Sequence, residues 1–402
     1  MKFKKYFISE LIDEISMGPF GSNIKVECFV DKGIPVLNGS NLEGYELRED
    51  SFRYVNEEKA DSLNKANAYR GDIVITHRGT LGQIVFIPQT SKYDRYVISQ
   101  SQFRVRCNHM ILPEYMVYYF HTRLGKYKLL SNASQVGVPA LARPSTTFQK
   151  IEIEIPDIPS QKRIIAILQT IHDKIAINTK INENLEQQAQ AYFVDLFITN
   201  ADPNWKMGTV SDFGNVIGGG TPSKKVEEYY TSNGIAWITP KDLSNDKSKF
   251  VAHGETDITE LGLAKSSATL MPKGTVLFSS RAPIGYIAIA DDQVSTNQGF
   301  KSIVPFSNVG NAFVYYYLKE NLSAIENVAS GSTFKEVSGS TLKNFSAVIP
   351  DNETLTEFQR FCSPLFEQQR ALEYENRYLA TLRDTLLPKL MNGEIDVSQV
   401  QI

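Results

Sequence analysis

Asp202-Pro203-Asn204-Trp205 comes nearest, in this 402-residue chain, to a sequence that does covalent chemistry. It approaches the Asp-Pro-Pro-Trp pattern of methyl transfer to an amino nitrogen. The second proline is missing, however, no strand leads into it and no glycine-rich nucleotide loop precedes it, so a domain-boundary turn accounts for it. Gly214 to Gly220, GNVIGGG, carries enough glycine to cradle phosphate, yet Thr221-Pro222 stands where a phosphate loop needs Lys and then Ser or Thr. Among three cysteines and five histidines only Cys107 and His109 lie close together, too few donors for zinc. Cys28, Cys107 and Cys362 are odd in number and scattered, which argues for reduced thiols. No Ser/His/Asp or Cys/His cluster assembles. The expectation is a chain that is not an enzyme and carries no metal and no cofactor, so its chemistry must be recognition.

The elements that would position recognising residues come twice. Gly71 to Ile87, GDIVITHRGTLGQIVFI, aligns without a gap on Gly274 to Ala290, GTVLFSSRAPIGYIAIA, a shift of 281 − 78 = 203 that places Arg78 over Arg281 and Gly82 over Gly285. Upstream, GIPVLNGSNL from Gly33 meets GIAWITPKDL from Gly234, and KVE at Lys25 recurs at Lys225. Downstream, VYYF at Val117 meets VYYY at Val314, and Ile155-Pro156 meets Ile349-Pro350. A period near 200 residues is far too long for a solenoid. It implies two related domains doing a similar thing in two places.

Each repeat opens with short runs rich in Val, Ile, Phe and Tyr, punctuated by Gly, Pro, Asn and Asp, which predict strands and tight turns. An aromatic helical segment follows, PEYMVYYFHTRLGKYKLL in the first half and NAFVYYYLKENLSAI in the second. The fold class is therefore α/β with sheet dominant. With 42% hydrophobic and 22% charged residues the composition is that of a soluble globular protein. No apolar run is long enough to span a membrane and no signal-peptide pattern opens the chain, so a cytoplasmic protein is expected. A net charge of −3 speaks against indiscriminate nucleic-acid binding. Yet Arg95, Arg104, Arg106, Arg123, Lys126, Lys128, Arg143 and Lys150 face a single acid, Glu114, within one stretch. That stretch is either a phosphate-tracking face or a solvated one.

After Pro156 the period changes. Ile164, Leu168, Ile171, Ile175, Asn178, Asn182, Leu185, Ala189, Tyr192 and Leu196 alternate at spacings of four and three, a heptad seam. In phase, 194 residues later, come Phe358, Cys362, Leu365, Gln369, Leu372, Asn376, Leu379, Arg383 and Leu386. A long apolar stripe must bury itself, and the equivalent helix is the nearest partner. Asn182 and Asn376 take the same seam position, as expected of polar residues that fix register. The expected organisation is a first domain at 1–155, a helical spacer at 156–200, a second domain at 201–350 and a second spacer at 351–402. About 38 helical residues carry the chain roughly 57 Å. Antiparallel return of the second helix would put a domain at each end of a rod, related by a pseudo-two-fold axis. Such a molecule measures a distance, and duplex DNA with two half-sites is the obvious polymer to measure.

At this point the sequence resembles the specificity subunits of Type I restriction-modification systems. The residues that carry the resemblance are ITPKDL at Ile238 to Leu243, GGGTPS at Gly218 to Ser223, DIPSQKRI at Asp157 to Ile164, AYFVDLF at Ala191 to Phe197 and LLPKLMNGEIDV at Leu386 to Val397. They run through the whole chain in the family's order. The resemblance implies two target-recognition domains alternating with two helical spacers. It also implies a non-catalytic subunit that reads a bipartite double-stranded DNA site and binds two adenine-methyltransferase subunits, with ATP-dependent restriction subunits as further members of the complex. A two-domain coiled-coil scaffold that binds proteins rather than DNA is the alternative.

Two domains that read different half-sites cannot encode the difference in residues they share, so shared positions should be scaffold or phosphate contacts. Arg78 and Arg281 are the expected phosphate contacts. Gln102 and Gln298 are shared as well, either pairing with adenine or holding a turn. Base readers are expected where polar positions align but differ. These are Asn38, Ser40 and Asn41 against Thr239, Lys241 and Asp242, then His77 and Thr80 against Ser280 and Pro283. The loops at Ser22 and Asn23 and at Ser223 and Lys224 can approach a backbone closely.

Overall fold

The computed structural model describes residues 1–134, 138–331 and 335–400, apart from the Ser22 side chain. The apolar runs become strands, and the most apolar ones become central. Asp72–Thr76 lies between Gln102–Cys107 and Ile84–Phe86, with Ile12–Met17 on the outer side of Gln102–Cys107, all antiparallel. Alternation sends Ile73 and Ile75 to one face and Val74 to the other. Ile73 and Ile75 join the core under the helix Pro113–His121, whereas Val74 joins a second core with Val36, Tyr96 and Val97. A strand covered on both faces reads as an unbroken apolar run. That second core belongs to a smaller sheet in which Ile34–Val36 pairs antiparallel with Arg53–Val55 and parallel with Arg95–Val97.

The second domain repeats this plan. Val276–Ser280 pairs antiparallel with Lys301–Pro305 and Ile284–Ala290, and Gly214–Gly218 takes the outer place. Val276 and Phe278 enter the core under the helix Asn311–Glu320, and Leu277 enters the other one. The parallel pairing recurs between Ile235–Ile238 and Ser295–Thr296. In each domain a strand near its beginning pairs with one at its end, Lys4–Phe7 with Glu152–Ile155 and Lys206–Thr209 with Ser346–Ile349. The helix that follows the sheet buries a continuous aromatic block, Tyr115 to Phe120 in one copy and Phe313 to Leu318 in the other.

Two long helices, Ile158–Val194 and Asn352–Met391, complete the chain. Two compact units form, 1–174 with 379–402 and 175–378, and their boundaries fall inside both helices. In the first unit Ile164, Leu168 and Ile171 of the seam are buried, and Leu379 and Leu386 are half-buried. Ile164 and Leu168 share a core with Leu387, Leu390 and Met391. In the second unit Leu185 and Phe358 are buried, while Ile175, Asn182, Leu365, Leu372 and Asn376 are half-buried. There the two helices run antiparallel: Asn178 Nδ2 donates to Asn376 Oδ1 at 2.9 Å, Gln369 Nε2 to the Asn182 carbonyl at 3.1 Å, and the Tyr192 hydroxyl to Glu357 at 2.5 Å. The amide facing Asn376 is thus Asn178, one seam step before Asn182. Each apolar seam residue removed from water contributes roughly 1.5–3 kcal/mol.

The basic stretch of the first domain does not form one face. Arg104 is buried, holds Glu14, and lies 3.4 Å from the fully buried Asp72, which Arg106 also engages at 2.8 Å. Arg95 pairs with Asp61. Positions 104 and 106 project from one side of a strand, so their charges are spent on the acids of neighbouring strands.

Candidate nucleic-acid interface

Four loops of the first domain meet beside the start of the strand Gln102–Cys107. Gly18 N donates to the Gln102 carbonyl at 2.9 Å, His77 N to the Ser101 carbonyl at 2.8 Å, and Gln102 Nε2 to the Asn38 carbonyl at 3.3 Å. The loops at 18–23, 38–42, 77–82 and 99–102 are therefore stitched together, two of the ties running main chain to main chain and the third from the Gln102 side chain to the Asn38 carbonyl. A Cβ on Gly18 would stand 1.9 Å from the Ser99 carbonyl oxygen, so glycine is what lets the first loop lie on the turn. The second domain ties the equivalent loops with the same two main-chain bonds and a different third one. Gly219 N donates to the Phe300 carbonyl at 3.2 Å, Ser280 N to the Gly299 carbonyl at 2.7 Å and Asn297 N to the Ile238 carbonyl at 3.0 Å. A Cβ on Gly219 would stand 1.9 Å from the Asn297 carbonyl oxygen.

These bonds fix the correspondence between copies better than the sequence does. Because Gly18 and His77 match Gly219 and Ser280, Gln102 matches Phe300 and Ser101 matches Gly299. The counterpart of Gln298 is then Gln100, two residues before the glutamine that the sequence aligned with it. Gln102 is fully buried, its Oε1 accepting from Ser99 N at 2.8 Å, so it holds the turn. Gln100 and Gln298 are both exposed.

Several candidate base readers face inward for identifiable reasons. Asn41 is fully buried; its amide donates to the carbonyls of Arg48 and Asp50 at 3.0 and 2.7 Å, and its oxygen accepts from Asn38 N at 2.9 Å. Asp242, its counterpart, accepts from Thr239 N at 2.7 Å, Thr239 Oγ1 at 2.6 Å and Glu255 N at 2.8 Å. Thr239 is the N-cap of Pro240–Asn245, so this pair closes a capping box. Ser280 is buried and bonds the Gly299 carbonyl at 3.1 Å. His77 is half-buried, its ring 6.3 Å from that of Phe103, and burial holds its imidazole below its ordinary pKa. These five side chains build the loops.

The remaining candidates stay at the surface. Asn38 and Ser40 are exposed, with Asn38 Oδ1 accepting from Ser40 N at 2.9 Å, and Thr80, Asn23, Ser223 and Lys224 are exposed too. Lys241 is exposed beside Glu255 at 2.6 Å, which raises its pKa. Lys224, Thr239, Lys241, Asp242 and Gln298 share a cleft of about 300 Å³ with Thr221 and Asn297. Of the shared arginines, Arg78 is exposed with no ion pair among the described residues. Arg281 meets Glu336 at 3.3 Å, so its charge is partly spent. Gly82 and Gly285 have φ of 80° and 98°, the left-handed turn conformation that favours glycine. Asn204 N donates to Asp202 Oδ1 at 2.8 Å and Trp205 Nε1 to Asp351 at 2.8 Å, which makes that tetrapeptide a turn. Gly214–Gly218 is an edge strand of the main sheet.

Sequence reasoning missed Gln100, Thr221 and Asn297. The segment before the turn changes length between copies, and the pairing of strands that reveals the change is non-local.

Fold and loop cluster together define a duplicated recognition protein, one frame carrying two different sets of exposed side chains. The model of the Type I restriction modification DNA specificity domain matches twice, at residues 21–187 and 203–376. The chain belongs to that family. A Type I restriction enzyme MjaIX specificity subunit from Methanocaldococcus jannaschii is 37% identical over 206 residues, 51% of this chain and 47% of that protein. A Type I restriction enzyme HindI specificity subunit from Haemophilus influenzae is 24% identical over 81% of this chain and 87% of that one. The chain thus spans about half the length of the first relative and most of the second. The crystal structure of a Type I restriction-modification S subunit from M. genitalium shares the fold, with a TM-score of 0.61 at 14% identity over 97% of this chain and 96% of that one. Among the described residues no helix is long and apolar enough to cross a membrane.

Proposed function

We propose that this chain is the cytoplasmic, non-catalytic specificity subunit of a Type I restriction-modification complex, each domain reading one half of a bipartite, asymmetric double-stranded DNA site. The long helices set the distance between the half-sites and dock two adenine-methyltransferase subunits, and ATP-dependent restriction subunits join the same complex. The observation that carries this reading is the duplicated loop cluster: two main-chain bonds recur in both domains, while the exposed side chains at equivalent places differ, Asn23 against Lys224 and Ser40 against Lys241. A shared frame positions, and the differing side chains specify.

The exposed apolar residues of the helices in the second unit, Ile177, Ile181, Tyr374 and Tyr378, are the surface assigned to the methyltransferase subunits. The test is DNA binding by the chain assembled with its modification subunits. Affinity for a cognate duplex should fall steeply as salt rises, because phosphate contacts release counterions. Absence of DNA binding in the assembled complex would return the protein-scaffold alternative. Methyl transfer from S-adenosylmethionine by this chain alone would overturn the non-catalytic assignment.

A further inference from the structure

We propose that Gln100 and Gln298 are specificity-determining residues, each reading an adenine in the half-site of its own domain; this rests on the DNA-reading function just proposed. Strand register makes them equivalent, and both are exposed on a turn whose following residues, Gln102 and Phe300, are fully buried. Both turns are rigid. Gln102 N donates to the Ser99 carbonyl at 3.0 Å and Phe300 N to the Asn297 carbonyl at 3.2 Å, while Gly299 N bonds Asn297 Oδ1 at 2.8 Å. Each amide is also flanked by the first loop: a Cβ on Gly21 would stand 2.2 Å from Gln100 Oε1, and the Thr221 hydroxyl donates to Gln298 Oε1. The donor side of each amide meets no acceptor among the described residues.

An identical side chain, exposed at the same place in two domains that otherwise differ at their surfaces, should touch what the two half-sites have in common. A neutral amide offers one acceptor and two donors but no charge. It brings no charge to a phosphate, which the exposed Arg78 serves better, and it matches the N6 donor and N7 acceptor of adenine in the major groove. The neighbours that differ, Asn23 against Lys224 and Ser40 against Lys241, then specify the bases on which the half-sites disagree.

The test uses the complex with modification subunits and the recognition sequence obtained by mapping modified adenines. Duplexes carry each base-pair change in turn, or 7-deazaadenine, which lacks the N7 acceptor, at each adenine. Wild type should lose roughly tenfold or more in affinity on the 7-deazaadenine duplexes. Gln298→Ala should abolish that loss at one adenine of one half-site and leave discrimination in the other half intact; Gln100→Ala should do the reverse. The untouched half-site reports that each variant is folded. Uniform weakening on all duplexes, or unchanged discrimination at every position, would overturn the proposal. A wild-type complex that discriminates among no duplexes would instead overturn the DNA-reading function itself.

Discussion

Tyr45 and Lys249 hold the same position in the two domains, each offering its carbonyl to the strand beside it, Tyr45 to Phe86 N at 3.1 Å and Lys249 to Ile289 N at 2.7 Å. The chemistry around them is reversed. In the second unit Lys249 is a buried cation boxed by the rings of Tyr315, Tyr316 and Phe366, its ammonium 4.8, 5.2 and 4.2 Å from their centroids, and it pairs with Glu186 of the first long helix. In the first unit the aromatic ring comes from the domain: Tyr45 packs at 5.0, 4.2 and 4.6 Å from Tyr118, His121 and His172, and Arg383 of the second helix lies over it at 5.6 Å. Tyr118 matches Tyr315 and His172 matches Phe366. The junction between a domain and the helices thus sets a cation against aromatic rings in both units, three rings around a domain lysine in one and a single domain tyrosine under a helix arginine in the other. One junction holds a buried ion pair, the other imidazoles that burial keeps below their ordinary pKa.

The largest effect should come from emptying the charged box. Lys249→Met leaves the half-buried Glu186 with Lys319 at 2.7 Å as its remaining cation and should cost the second unit about 2–3 kcal/mol. Hydrogen exchange would locate the loss, with protection falling in 175–378 and held in 1–174. Equal loss in both units would mean that the two junctions are not independent.

Acid should separate the junctions in the opposite sense. Burial, helped by Arg383, depresses the His172 imidazole to about 4, so the folded state resists a proton that the unfolded chain takes up near pH 6.5. Stability of the first unit is then fully present above about pH 6.5 and lost as pH falls toward 4, by roughly 1–2 kcal/mol after discounting for the ring's partial exposure. Burial raises Glu46, which works the other way near the bottom of that window. Burial also pushes the Glu186 carboxyl up, but the Lys249 ammonium overrides it and holds the group at about 2. The charged junction therefore keeps its contribution down to about pH 4.3 and loses it only as pH falls through 2. His172→Phe, which imports the residue of the other copy, should remove the His172 share of the acid loss between about pH 6.5 and 4, leaving the shares of His121 and His77, whose imidazoles burial also lowers. An undiminished loss would move the sensitivity away from His172.

A smaller change is expected at the seam. Asn376→Ala leaves the buried Asn178 amide with one acceptor fewer, Glu375 remaining at 2.8 Å, and should cost about 1 kcal/mol in chemical denaturation. Smaller still is the difference between the shared arginines. Arg78→Ala should reduce the salt slope of DNA binding by about one, whereas Arg281→Ala, already paired with Glu336, should change it less. Equal changes would show that the Glu336 pair opens on DNA.

What could be read from the sequence was what is local. Heptad spacing is a property of consecutive residues, and the burial of Ile164, Leu168, Ile171 and Leu185 follows it. The strand runs DIVIT and TVLFSS were legible for the same reason. The junctions were not, because Lys249 and Glu186 or Tyr45 and His172 meet only through tertiary packing. The inward turn of Asn41 and Asp242 was hidden as well, since polar residues in a loop look alike whether they cap the backbone or face solvent. Arg104 and Arg106 looked like a basic surface because charge counting ignores which side of a strand faces a buried Asp72. The glutamine pairing slipped by two residues because the segment before the turn, between Ile87 and Val97 in one copy and Ala290 and Ser295 in the other, differs in length, and only strand register corrects it.

Two different readers held at a set distance are the core of the proposed function. Mapping the methylated adenines in DNA from cells that carry this chain with the proposed modification subunits tests it most directly. Two short specified segments of different sequence, separated by a gap of unspecified bases, are expected; a single continuous palindrome would rule out two different readers.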